Sequence, residues 1–225
     1  RLGAKEIKYI GNLKYAQSEQ KIDNLRKNIR NFIKSKKVWC ASSTHFNEEY
    51  LCGLVHKKLK KKYKNLLTII IPRHVERVDS IISELSSLKL KIHTFNSKIK
   101  LDDRIDIFIV DTYGKTKSFY NLCKNVFLGG SLVNRGGQNP LEATRYGCNI
   151  LHGPNVSNFR EIYEFLKKNK ISQKINSQNE IKEYLKKLFS KKANSKIIQK
   201  KLSLIGQKIL ENTYKEVKLV LKNEI

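Results

Sequence analysis

The stretch from Phe127 to Phe159, FLGGSLVNRGGQNPLEATRYGCNILHGPNVSNF, concentrates residues that could hold an anion. Six of the 11 glycines in the 225-residue chain fall in it, including the pairs at 129–130 and 136–137. Glycine lets a backbone approach a ligand closely and expose its N–H groups. A helix that begins near Asn139 and Pro140 would add free N–H groups and the positive end of its dipole. The pattern predicts an anion site suited to a phosphate, with a tight strand–turn–helix that binds nothing as the alternative.

Glu142 follows at the start of the same predicted helix. A carboxylate is unsuited to contact an anion, but it can accept hydrogen bonds from a diol. We therefore predict that Glu142 binds the ribose of a nucleotide whose phosphate occupies the anion site.

Arg73 comes directly after the uncharged run LLTIII and Pro72. An arginine at the end of a buried strand can hold a phosphate or carboxylate by two parallel hydrogen bonds. The alternative is an ordinary surface arginine. The neighbouring His74 is expected to have a structural role.

Two further strand ends carry polar residues. The segment ASSTHFNEE (41–49) places Ser43, Thr44 and His45 at a strand-to-helix turn, where they either contact a ligand or cap the helix. The segment VDTYGK (110–115) either binds a base or phosphate through its loop backbone or begins with a helix cap at Asp111. No residue pattern of a Ser-His-Asp triad is found.

Strands and helices alternate along the chain, and the strands are nearly continuous apolar runs. This pattern predicts an α/β fold with a doubly wound, Rossmann-like parallel sheet, in which ligands bind beyond the carboxyl ends of the strands. The predicted strands are 38–42, 66–72, 90–95, 105–110, 126–129 and 148–153. The predicted helices are 18–37 (with Ser18 as N-cap), 46–63, 75–88, 115–124 and 139–147, followed by a helical tail of 158–169, 178–190 and 194–222.

The bulk composition narrows the function classes. The formal net charge is +26, but lysines are spread over the chain among apolar residues at helical spacing. We therefore expect solvated helix faces and no nucleic-acid partner, although weak attraction to an anionic membrane surface stays open.

No apolar run is long enough to span a bilayer. The four cysteines lack metal-site spacing and are expected to be buried thiols. With no methionine at its start, the chain is expected to be part of a longer protein.

Six segments resemble, in this order, the carboxyl-terminal half of the 3-deoxy-D-manno-octulosonic acid (Kdo) transferases of lipopolysaccharide assembly. They are GNLKY (11–15), ASSTHFNEE (41–49), IIIPRHVER (69–77), DTYGK (111–115), FLGGSLVNRGGQNPLEA (127–143) and GPNVSNFREI (153–162). The resemblance covers about residues 1–165 well and the tail more loosely. The run GGS-x-V-x-RGG-x-NPLE is typical of this family rather than of glycosyltransferases in general.

The resemblance implies a two-domain GT-B transferase that acts without a metal or cofactor and inverts the anomeric centre. Its carboxyl-terminal domain would bind CMP-Kdo. The missing amino-terminal domain would bind the lipid A precursor and supply the catalytic carboxylate base, at the cytoplasmic face of the inner membrane. Residues 1–17 would be an interdomain linker, 18–170 the donor-binding domain and 171–225 helices that pack on this domain or on the missing one. The chain alone would then be inactive and contain no catalytic residue.

The predicted contacts to CMP-Kdo lie at the strand ends and in the glycine-rich stretch. They are Ser43, Thr44, His45, Arg73, Thr112, Gly114, Gly129, Gly130, Ser131, Arg135, Gly137, Asn139 and Glu142.

The chain departs from the family pattern at several of these segments. The family usually has Glu-Gly in place of Phe46-Asn47, Pro in place of Val75, His in place of Gln138, and Glu-Leu in place of Lys115-Thr116. A glutamine at 138 can still donate a hydrogen bond, whereas the change at 115–116 alters the loop after Asp111. Two other functions remain open: a GT-B transferase with another nucleotide donor, and a basic, non-enzymatic module for nucleic acid or anionic lipid.

Overall fold

The computed structural model describes residue 3 and residues 7–17, 24–191 and 194–223. Seven parallel strands form one sheet in these residues, and helices cover both of its faces. The strands are Lys37–Thr44 (β1), Leu66–Pro72 (β2), Ile92–Thr94 (β3), Ile107–Ile109 (β4), Asn125–Leu128 (β5), Asn149–His152 (β6) and Ser172–Lys174 (β7).

Eight α-helices connect or follow the strands in the described residues. They are Lys27–Lys34 (α1), Glu48–Lys60 (α2), Val78–Ser86 (α3), Thr116–Leu122 (α4), Leu141–Arg145 (α5), Arg160–Lys168 (α6), Gln178–Phe189 (α7) and Ser195–Asn223 (α8). Short 3₁₀ turns occupy Leu13–Ala16, Val75–Arg77 and Ser157–Phe159.

The strand order is β3-β4-β2-β1-β5-β6-β7. From β1 the chain builds the sheet outward through β2 in one direction and later, through β5, in the other. The sheet therefore has its topological switch point between β1 and β5, whose residues pair from Cys40↔Val126 to Ser42↔Leu128. A crevice for a ligand is expected at the carboxyl ends of these two strands.

The two faces of the sheet bury separate apolar clusters, because successive side chains of a strand point to opposite faces. In β2, Leu67 and Ile69 belong to one cluster, whereas Leu66 and Ile70 belong to the other. The predicted doubly wound α/β fold is confirmed.

Most predicted strands and helices are found within a few residues of their expected bounds, but two regions differ. The first helix was expected over 18–37; residues 18–23, including the predicted cap Ser18, lie outside the described part, and α1 spans only 27–34. Its end is fixed because Lys37 already pairs with Leu66 in the sheet. Strand β7 was not predicted, since SQK is short and polar; it forms by pairing with β6, from Ile150↔Ser172 to His152↔Lys174.

The tail contains the three expected helices. Ile181 and Leu185 of α7 are fully buried against the sheet. Ile198 and Leu202 of α8 pack with Tyr15, so the first half of α8 contacts this chain's own amino-terminal segment. The proposed domain boundaries remain predictions, although β7 lies in the range expected to be helical.

No helix among the described residues is long and apolar enough to cross a membrane. All four cysteines are buried free thiols, and burial raises the pKa of each one: Cys40, Cys52, Cys123 and Cys148. This confirms the prediction of core thiols.

Candidate functional site

A cavity of about 250 Å³ opens at the switch point, beyond the ends of β1 and β5. Of the predicted donor contacts, Ser43, Asn139 and Glu142 line it. The complete lining consists of Gln17, Ser43, Lys117, Tyr120, Leu128, Gln138, Asn139, Glu142, Arg145 and Tyr146. The wall is mostly hydroxyl, amide and charged groups, which suits a polar ligand with several hydrogen-bonding groups.

Ser43 reaches the cavity because β1 is irregular at its end. The pairing of β1 with β2 shifts register between Ser42 and Thr44, and Ser43 adopts a left-handed φ of 55°. A bulge of this kind turns one side chain out of the regular alternation. Ser42, the residue before the bulge, is instead fully buried and shares a hydrogen bond of 2.7 Å with the Tyr120 hydroxyl.

Asn139 and Glu142 enter the cavity from the loop before α5 and from its first turn. The Asn139 side chain accepts a hydrogen bond of 3.1 Å from the Leu141 N–H, which fixes the start of the helix. Glu142 Oε1 lies 3.7 Å from Lys117 Nζ, and the Glu142 side chain is 39% exposed. Its carboxylate is thus accessible to a ligand, as predicted for a ribose contact.

Helix α5 is much shorter than the predicted 139–147. It contains five residues and ends before Gly147, which has a left-handed φ of 70°. The helix begins next to Asn139 and Pro140 as expected, and its contribution to an anion site stays a prediction.

The loop Gly129–Leu132 already contains an anion, the carboxylate of Glu48 at the start of α2. Glu48 Oε2 accepts hydrogen bonds from the N–H of His45 at 3.0 Å and of Gly130 at 2.7 Å. Glu48 Oε1 accepts from the N–H of Ser131 at 3.2 Å and of Leu132 at 3.0 Å. Burial raises the pKa of Glu48, and the four N–H groups oppose this shift.

These contacts correct the role predicted for the loop backbone. The Gly129 N–H donates to the Ser42 carbonyl at 2.8 Å, and the next N–H groups donate to Glu48, so none of them points to an external phosphate. Gly129 and Gly130 have no side chains, so a ligand can still approach the backbone of the loop closely.

Two predicted contacts have fully buried side chains. Ser131 is 0% exposed; its hydroxyl accepts from the Gly153 N–H at 2.8 Å and donates to the Leu128 carbonyl. Thr44 is also 0% exposed. The Ser131 hydroxyl supports the turn after β5, and the Thr44 side chain is enclosed; the assignment of both residues as donor contacts stays a prediction.

Gly137 also supports the loop. It has a left-handed φ of 75°, and its N–H donates to the Gly130 carbonyl at 3.0 Å. Thr112 and Gly114 are not part of the cavity wall. They lie beyond β4, where Asp111 accepts a hydrogen bond of 3.0 Å from the Asn96 N–H. Their contacts to a donor stay a prediction.

A basic cluster lies next to Gly130 and consists of Arg73, His74, His45 and Arg135. The rings of His45 and His74 meet edge to face with their centroids 5.8 Å apart. A Cβ atom on Gly130 would lie 3.3 Å from His45 Nε2 and 3.4 Å from Arg135 Cβ. Burial lowers the pKa of His45, and the neighbouring His74, Arg135 and Arg73 lower it further.

This basic cluster is poorly compensated. The nearby Arg77 is paired with Glu49 at 3.0 Å, but neither the Arg73 nor the Arg135 guanidinium has a carboxylate partner in the part of the chain that the structure describes. His45 Nε2 is buried and likewise has no hydrogen-bond partner among the described residues. Such a cluster can bind a phosphate or carboxylate.

Sequence reasoning missed four important residues: Lys117, Tyr120 and Arg145 in the cavity wall, and Glu48 under the loop. The first three were read only as parts of helices. Glu48 lies in the segment ASSTHFNEE, but its contacts with the loop were not predicted. In the described residues no group of His, Cys, Asp or Glu side chains is arranged to hold a metal ion.

The parallel seven-stranded sheet, its strand order and the cavity at its switch point define the class: the fold is that of the carboxyl-terminal domain of a GT-B glycosyltransferase. It matches the crystal structure of the C-terminal CMP-Kdo binding domain of WaaA from Acinetobacter baumannii with a TM-score of 0.68 and 22% sequence identity, covering 80% of this chain and 91% of that one.

The chain is related in sequence to 3-deoxy-D-manno-octulosonic acid transferases. It is 28% identical to the enzyme of Haemophilus influenzae over 210 residues, which are 91% of this chain and 48% of that protein. It is 29% identical to the enzyme of Aquifex aeolicus over 206 residues, or 91% of this chain and 54% of that protein. The resemblance predicted from the motifs is confirmed. The chain spans about half the length of these relatives, and no protein-family profile matches it.

Proposed function

We propose that this chain is the donor-binding half of a glycosyltransferase that transfers Kdo from CMP-Kdo to a lipid A precursor. The observation that carries this proposal is the arrangement at the switch point. A polar cavity with an accessible carboxylate, Glu142, is lined by Leu128 and Gln138, which flank the glycine loop, and a basic cluster without carboxylate partners for Arg73 and Arg135 in the described part of the chain lies next to Gly130.

A sugar linked to a nucleoside monophosphate carries a ribose diol and a phosphate in the order that matches the cavity and the basic cluster. Its ribose diol can donate hydrogen bonds to Glu142 inside the cavity. Its phosphate can then pass Gly129 and Gly130, where the absence of side chains leaves room, and reach the guanidinium groups of Arg73 and Arg135. The names of the sequence relatives support Kdo as the sugar. The name of the structural neighbour, a CMP-Kdo binding domain, supports CMP as its carrier.

In the complete enzyme, a hydroxyl of the lipid acceptor would attack the anomeric carbon of Kdo. The new C–O bond forms while the bond from that carbon to the phosphate oxygen breaks, and the hydroxyl proton passes to a base outside this chain. Arg73 and Arg135 would stabilise the negative charge that builds on the departing CMP. As the family resemblance implies, these steps would need no metal ion or cofactor.

The lipid acceptor places the complete enzyme at the cytoplasmic face of the inner membrane in this proposal. The acceptor site and any membrane anchor would reside in the part of the protein outside this chain. Cell fractionation of the full-length protein checks this location: recovery in the soluble fraction would contradict it.

Calorimetric titration of the purified chain tests the donor assignment. We expect measurable binding of CMP, weaker binding of UMP and ADP, and no transfer of Kdo to a lipid acceptor. Arg73→Gln should weaken CMP binding, whereas Arg104→Gln, which changes an exposed arginine paired with Asp102, should not. Preference for UMP or ADP would indicate another donor, and absence of nucleotide binding would overturn the proposal.

A further inference from the structure

Glu48 is an unusual residue to find beneath a ligand loop. Its side chain is fully buried, and its two carboxylate oxygens accept four backbone hydrogen bonds within 3.2 Å. Three of the four donors lie in Gly129–Leu132, and the fourth belongs to His45 after β1. One carboxylate therefore connects the ends of both strands at the switch point.

Gly129 and Gly130 leave space for this carboxylate and allow the loop N–H groups to point toward it. A Cβ atom on Gly129 would lie 2.7 Å from Glu48 Oε2, closer than a Cβ atom can approach an oxygen. Gly130 adopts a left-handed φ of 66°, which turns its N–H and that of Ser131 toward the same acceptor. The glycines thus serve an internal anion, in addition to leaving room for an external one.

The hydrogen bonds of Glu48 also fix the positions of two residues of the basic cluster, His45 and Arg135. Its bond to the His45 N–H fixes the turn from which the His45 ring extends over Gly130. Its bonds to the loop fix the start of the segment that leads to Arg135. Both members of the basic cluster that approach Gly130 are thereby held by the same side chain.

We propose that Glu48 is a positioning residue of the donor site, an internal anion that holds the glycine loop in its binding geometry and so places His45 and Arg135. This inference rests on the proposed function for the nature of the ligand, but the loop geometry can be measured without any ligand. Glu48 itself does not contact the donor, because all its oxygens are enclosed.

The test replaces Glu48 by alanine and restores the missing anion with sodium formate. Removal of the carboxylate leaves four N–H groups around a space that a formate ion can occupy. In Glu48→Ala we expect fast hydrogen exchange at the amides of Gly130, Ser131 and Leu132 and a loss of CMP affinity of about tenfold or more. Formate should restore amide protection and affinity, whereas sodium chloride at equal ionic strength should not.

Glu49 provides the matched control, because it is a neighbouring carboxylate that is also fully buried but is bound to Arg77 instead of the loop. Glu49→Gln should lower stability without changing the exchange of the loop amides. If Glu48→Ala does not fold, Glu48→Gln takes its place. Its amide group can accept only some of the four bonds, and it should expose the loop amides where Glu49→Gln of equal stability does not.

The outcomes separate the two proposals. Unchanged protection of the loop amides in the Glu48 variant, or a loss of protection that Glu49→Gln reproduces, would overturn the positioning role. Failure of the wild-type chain to bind CMP would overturn the proposed function alone, since the exchange experiment needs no nucleotide.

Discussion

Lys117 Nζ lies 3.7 Å from Glu142 Oε1 at the wall of the switch-point cavity, with 30% and 39% of the two side chains exposed. A pair this exposed contributes little to the stability of the fold. The Glu142 carboxylate is therefore available to exchange part of this contact for hydrogen bonds from a ligand.

We predict that Glu142→Gln weakens nucleotide binding more than it weakens the fold. Hydrogen bonds from a ribose diol to a charged acceptor contribute about 1.5–3 kcal/mol, and the exposed ion pair contributes about 1 kcal/mol or less. Calorimetric titration with CMP and urea denaturation measure the two effects. A sharp fall in stability with unchanged CMP affinity would show that Glu142 is structural.

The hydrogen bond between Ser42 and Tyr120, beneath the cavity, should contribute to the stability of the fold. Tyr120→Phe keeps the buried ring but leaves the Ser42 hydroxyl, which is fully buried, without its partner. The free energy of unfolding should fall by about 1–2 kcal/mol.

Tyr113→Phe is the control for this prediction. Its hydroxyl bonds to Glu76 at 2.9 Å on the surface, where water can replace the contact. The change should cost less than about 0.5 kcal/mol. Equal effects of the two substitutions in urea denaturation would argue against the buried hydrogen bond.

Gly129 and Gly114 should differ in their tolerance of alanine, because only Gly129 lies against other backbone atoms. A Cβ atom on Gly129 would lie 2.5 Å from the Ser43 carbonyl oxygen and 2.6 Å from Thr44 Cα, and backbone atoms cannot rotate away. Gly129→Ala should destabilise the protein by about 3 kcal/mol or more.

Gly114→Ala provides the comparison. Gly114 has a φ of 80° and no atom within 4 Å of the added Cβ, so only the backbone strain remains, at about 1 kcal/mol. Thermal unfolding of both variants measures the difference. A mild effect at Gly129 would mean that the loop can move away from β1.

The buried His56 should make the free energy of unfolding depend on pH. It is fully buried and shares hydrogen bonds with Thr68 at 2.9 Å and with Asp106 at 3.2 Å. Burial lowers the pKa of His56 below its ordinary 6.5, and the Asp106 carboxylate opposes this shift. The unfolded chain therefore binds a proton at a higher pH than the folded chain does, so the free energy of unfolding should fall as pH decreases below about 6.5.

The variant His56→Gln isolates this contribution. Burial also lowers the pKa of His45, His93 and His152, and these groups add to the slope in the wild-type protein. The slope of unfolding free energy against pH should correspond to about one proton fewer in the variant than in the wild type. Identical slopes between about pH 5 and 7 would show that His56 does not titrate with folding.

The sequence by itself determined the elements of this fold where the signal is local. Leu66–Pro72 is a strand over its predicted bounds, because seven uncharged residues, rich in β-branched side chains and ended by a proline, can be buried on both faces of a sheet. The alternation of such runs with amphipathic helices was sufficient to predict the doubly wound sheet. It also predicted that Ser43, Arg73 and the glycine loop lie beyond the carboxyl ends of the strands.

Only the tertiary structure decided what those residues contact. The polar strand Ser172–Lys174 exists because β6 offers it a pairing edge, and no property of its three residues indicates this. Glu48 and Gly130 are 82 positions apart, and their hydrogen bond depends on β1 and β5 being neighbours at the switch point. Hydrophobic patterning is set by a residue's near neighbours in the sequence, whereas the partner of a buried charge is set by which strands the sheet places side by side.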